Sequence, residues 1–94
     1  RAMITRDVKV TQIVRVTIDD TKFTPEFMAE FASYMMPYST IDDHLEYLAQ
    51  LYARGITNGW ADDIIEGYGP AKEMGIAFKL VDQEERVIPE ERAP

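Results

Sequence analysis

Residues 8–18 read VKVTQIVRVTI, and this run constrains the fold more than any other part of the chain. Apolar and polar residues alternate with a period of two, which is the signature of an extended strand. Val8, Val10, Val14, Val16 and Ile18 fall on one face, broken only by Gln12. Lys9, Thr11, Arg15 and Thr17 fall on the other, with Ile13 as the exception. The run is about twice the usual strand length of ~5–6 residues. Such a strand must bend at a bulge or extend past its own sheet. A long β-branched strand with an open edge is also a ready pairing surface for another chain.

Beyond a turn at Asp19-Asp20-Thr21-Lys22, the pattern turns helical. Thr24 is placed to cap a first helix, Pro25 suits its first position, and Phe23 can staple to Met28. Phe27, Phe31 and Tyr34 form the apolar stripe, flanked by Met28 and Met35, and Pro37 stops the helix near Met36. The spacing predicts core positions for Met28 and Met35 and an exposed Met36.

The segment STIDDHLEYLAQLYARG, residues 39–55, predicts a second helix. Thr40 and Asp43 have the spacing of a capping box, and Asp42 and Asp43 suit the positive end of the helix dipole. Ile41, Leu45, Leu48 and Tyr52 share a stripe, Gly55 supplies a left-handed stop, and Ile56 can fold back on Leu51. Ile64–Tyr68 and Ile76–Val81 then read as two short strands, with Val87 and Ile88 as an extension of the last. The order is β-α-α-β-β. The expected fold is α+β, an α-helical hairpin on one face of a three-stranded, mostly antiparallel sheet. One small domain is expected over 1–94, with 1–3 partly a cloning remnant and 89–94 a frayed tail.

The chain has no cysteine, which removes disulfides, thiolate metal sites and thiol nucleophiles. No apolar run approaches the ~20 residues needed to cross a bilayer, and no signal peptide is evident, so a cytoplasmic location is expected. The net charge is −7, and it is unevenly spread. Residues 23–71 carry eight acids against Arg54 alone, whereas residues 1–22 carry five bases against three acids. Phosphate contacts need clustered Lys and Arg, so direct nucleic-acid binding is disfavoured and a basic partner protein favoured.

The only histidine, His44, follows Asp42 and Asp43 and precedes Glu46. At 100° per residue it points away from all three acids, towards the flank of the apolar stripe. It therefore reads as a boundary histidine packed on the first helix or the sheet. A metal site needs ligands converging on one point, and an acid–base role needs a substrate pocket; neither is legible here. No hydroxyl sits in a nucleophile turn. Glu66-Gly67-Tyr68-Gly69-Pro70 lacks the lysine of a phosphate loop, and its glycines read as turn formers. No catalytic, cofactor-binding or metal residue is assigned. The expected partner-binding positions are Glu26, Glu30, Asp42, Asp43, Glu46, Asp62 and Asp63. Trp60 and Tyr68 join them as interface anchors on condition that they are exposed.

The segments TKFTPEFMAEF, STIDDHLEYLAQLYARG and IEGYGPAKEMGI resemble short uncharacterised proteins of bacterial phages, prophages and their hosts, over Val8 to Phe78. The resemblance carries no catalytic motif. It implies a context in which small acidic proteins bind a host factor, anti-CRISPR and other anti-defence inhibitors being examples. The leading expectation is a non-enzymatic, acidic protein-interaction module. The alternative is an oligomerising domain, a homodimer paired through strand 8–18, and the last is a small enzyme or metal binder centred on His44.

Overall fold

The computed structural model describes residues 2–90. Arg1 and 91–94, parts of the expected cloning remnant and frayed tail, lie outside the described residues. The α+β class holds, but the sheet is built differently from the expectation. Strand β1 (Val8–Thr17) pairs antiparallel with β4 (Ala77–Val87), and these two form a complete sheet on their own. Strands β2 (Ile64–Ile65) and β3 (Gly69–Pro70) form a second, minimal pair. The three-stranded sheet is therefore replaced by two two-stranded ones. The polar run Asp82-Gln83-Glu84-Glu85-Arg86 joins β4 because each of its residues finds a partner on β1, from Ile13↔Asp82 to Lys9↔Arg86. Backbone hydrogen bonds hold that ladder and require no apolar side chains.

The length of the 8–18 run is resolved by a bulge and not by an overhang past its own sheet, since β4 accompanies β1 from Val8 to Thr17. A bulge falls between Ile13 and Val14, where β4 spends Val81 without a partner. The ribbon also runs well past the helices. The molecule measures 58 × 27 × 21 Å, with a radius of gyration of 17.8 Å. A compact chain of this length has about 12 Å, so the shape is a head on a projecting arm.

Helices α1 (Pro25–Tyr34) and α2 (Ile41–Ala53) start as their caps dictate. The Thr24 hydroxyl accepts from the Phe27 N–H at 3.1 Å, and Thr40 and Asp43 form the full capping box. Gly55 takes φ 73°, and Ile56 N–H returns to the Leu51 carbonyl at 2.9 Å, although the Ile56 side chain stays exposed. The two helices meet through Phe27, Phe31 and His44, and α2 packs on β1.

The core consists of Phe23, Phe31, Leu48, Leu51, Ile65, Tyr68, Ala71, Met74 and Ile76, with Val16 and Phe78 packed against it. Met28 and Met35 also pack against it, while Met36 is exposed. Tyr34, expected in the stripe, is exposed because it closes the last turn of α1. Gly67 comes so close to α1 that a Cβ there would lie 2.5 Å from the Phe31 ring, at φ 90°. Only glycine permits that approach.

Candidate functional site

The stripe on α2 is rotated from its expected position. His44, Leu48 and Leu51 are the buried residues of the helix, while Ile41, Leu45 and Tyr52 stand at its flank. A histidine weighed as polar shifts the apparent stripe; weighed as a core ring, it restores the observed one. His44 indeed packs on α1, but it is wholly buried and not at a boundary. Phe31 lies edge-on at 4.8 Å between ring centroids, with Phe23 at 5.5 Å, Tyr38 at 5.7 Å and Tyr68 at 5.7 Å.

His44 Nδ1 lies 2.7 Å from the Tyr68 hydroxyl. Burial pushes that hydroxyl well above the ordinary phenol range, and Tyr47 and Tyr38 add to the effect. Tyr68 therefore keeps its proton, and a neutral phenol and a neutral imidazole share the hydrogen bond at Nδ1. Nε2 has no hydrogen-bond partner among the described residues. Burial holds the His44 pKa below its usual 6.5. The Tyr38 carbonyl, close but outside hydrogen-bonding geometry, and the Asp43 carboxylate both oppose that shift. A neutral imidazole sealed among rings clasps α2 to the loop carrying Tyr68. It offers no route to a dissolved substrate. Among the described residues, no three His, Asp or Glu side chains group as metal ligands.

The acidic positions divide into two kinds. Glu26 and Glu30 on α1, Asp42 and Glu46 on α2, and Asp62 are exposed. Asp43 and Asp63 are half-buried and already engaged. Asp43 Oδ2 accepts from the Ser39 and Thr40 N–H groups, each at 3.3 Å. Asp63 Oδ2 accepts from the Thr57 hydroxyl at 2.5 Å and the Asn58 N–H at 3.3 Å. Asp43 and Glu46 border one shallow groove with Tyr38, Tyr47 and Gln50. The head, residues 18–76, carries eleven acids against three bases, a net −8. Among the described residues the one ion pair is Arg6–Glu90, at 3.9 Å, and it lies on the ribbon.

The condition on the two aromatic anchors is met by Trp60 and not by Tyr68. Trp60 is 69 % exposed, whereas Tyr68 belongs to the core. The Trp60 loop is braced on both sides. Trp60 N–H donates to Asn58 Oδ1 at 2.8 Å, Asp63 N–H to the Trp60 carbonyl at 3.0 Å, and Lys72 N–H to the Ala61 carbonyl at 2.9 Å. Ile56 and Ile64 are exposed on either side of it in sequence. Sequence reasoning placed Ile56 against Leu51 and Ile64 in a strand, and so missed both. The Asn58-Gly59 turn signal beside Trp60 was the available clue. A rigid loop presenting large apolar side chains within an acidic head has the composition of a binding surface.

No helix among the described residues is long and apolar enough to cross a membrane. Comparison of the chain with protein-family models, with curated proteins and with solved structures returns no match.

Proposed function

We propose that this protein is a non-enzymatic interaction module whose acidic head docks on a basic surface of a partner protein in the cytoplasm. One observation carries the reading: eleven carboxylates face three bases in the head, with no ion pair there among the described residues. Unneutralised charge of one sign raises self-repulsion and steers an oppositely charged partner. The braced Trp60 loop supplies the apolar contact that charge alone does not give. The resemblance to small phage and prophage proteins makes a host factor the natural partner and an inhibitory or accessory role its consequence.

The test is affinity capture from host lysate with wild-type protein and with a variant carrying Glu26→Lys, Glu30→Lys, Asp42→Lys and Glu46→Lys. These four changes bring the head from −8 to neutrality. Capture of a basic protein should weaken by at least about tenfold in the variant and decline with added salt. Retention of the same protein by both forms, insensitive to salt, would refute the docking mode.

A further inference from the structure

We propose that two copies of this chain pair through the outer edge of β1, antiparallel about a two-fold axis centred on Thr11. A two-stranded ribbon is at best marginal in water, and three or more strands are needed for independent stability. Here the ribbon leaves the head with Val8 51 % and Val10 57 % exposed. The β1 edge has neither proline nor a bulge of its own, and only Lys9 and Arg15 guard it by charge. The β4 edge is different: Asp82, Glu84 and Glu85 crowd it with carboxylates, and a two-fold axis at Gln83 would set Asp82 against the partner's Glu84 on both sides.

Charge also selects the register. Centring the pair on Gln12 sets Lys9 opposite the partner's Arg15, two like charges. Centring it on Ile13 sets Asp7 opposite the partner's Asp19. With Thr11 at the centre, Asp7 meets the partner's Arg15 twice, once on each side of the axis, and Lys9 meets the partner's Ile13. Asp7 follows the ribbon, since its carbonyl accepts from the Ile88 N–H at 2.8 Å. The same register lays Val8 beside the partner's Val14. Val14 borders a mostly apolar groove with Val16, Leu45 and Ala49, edged by the Glu46 carboxylate, where the ribbon leaves the head. The exposed valines of each arm thus gain an apolar neighbourhood from the other copy.

The arrangement keeps the two heads apart. Residues 4–17 and 77–90 carry five acids and five bases, so the arm is neutral while the head is −8. Antiparallel arms place the two Thr17 positions about 40 Å apart at ~3.4 Å per residue, several screening lengths at physiological salt. Self-pairing of the arm does not depend on the head having a basic partner.

The chain has no cysteine, so Thr11→Cys introduces a single thiol on a residue that would face its own copy. Light scattering should give about twice the 10.8 kDa of one chain for the wild type. Mild oxidation should cross-link the Thr11→Cys variant and leave a Glu84→Cys variant single. Arg15→Asp should weaken the dimer by about tenfold, and adding Asp7→Arg should restore it. Both residues are exposed, and circular dichroism of each variant checks that the head stays folded. A wild-type monomer, cross-linking through Glu84→Cys in place of Thr11→Cys, or no rescue by the double swap would each overturn the proposal.

Discussion

The head and the arm are made from the same chain by opposite means. In the head, rings from Phe23, Phe27, Phe31, Tyr38 and Tyr68 close around His44, and all nine buried hydrophobic residues lie between positions 23 and 76. In the arm, from Val8 to Ile13 and from Asp82 to Val87, no residue is buried, and the structure rests on ladder hydrogen bonds. One half is held by area removed from water, the other by paired backbone groups that contribute only about 1 kcal/mol net each. The head can thus stand as a unit, whereas the arm invites a further layer. Charge follows a similar division, with residues 18–76 at −8 and residues 4–17 and 77–90 together neutral.

The head depends most on Phe31. Its ring is fully buried and touches His44, Tyr38, Tyr68 and the close approach at Gly67. Phe31→Ala should cost about 3–5 kcal/mol in urea unfolding, a large part of the stability of a domain this small.

Acid sharpens the same contrast. The unfolded chain protonates His44 near its ordinary 6.5, while the folded head resists until a lower pH. Between those two points the unfolded state binds more protons, so stability falls as pH falls. The contribution is intact above 6.5 and is lost on descending through the folded value. Thermal melts from neutral to mildly acidic pH should show this slope, and a His44→Leu variant should lack it. An equal slope in both would mean that another group carries the acid sensitivity.

The smallest effect belongs to the arm. Val8→Ser should change the unfolding free energy of the head by less than about 0.5 kcal/mol. A larger loss would show that the arm is part of the cooperative core.

These differences also explain what the sequence made legible. Local rules sufficed for Thr40, Asp43 and Gly55, because caps and stops involve neighbours a few residues apart. They sufficed for β1, whose excess length already demanded a bulge or an overhang. They failed for Asp82–Arg86, a strand whose justification lies some seventy residues upstream on β1. They also failed for the depth of His44, which is fixed by rings drawn from α1, two loops and the turn before α1. Of the surface positions, Glu26, Glu30, Asp42, Glu46, Trp60 and Asp62 stand exposed. Asp43 and Asp63 are drawn into local hydrogen bonds, and Tyr68 into one with His44 across the core, none of which composition reveals.

The bulge at Val81 has a mechanical consequence. A ladder of alternating residues slides easily by two positions, because such a slip keeps every side chain on its own face. One supernumerary residue, set where the arm leaves the head, acts as a pawl that fits in a single notch. It also turns the outer strands relative to the inner ones, so the heading of the arm is set by one residue. Deleting Val81 would swing that arm like a re-hung door while leaving the room behind it unchanged.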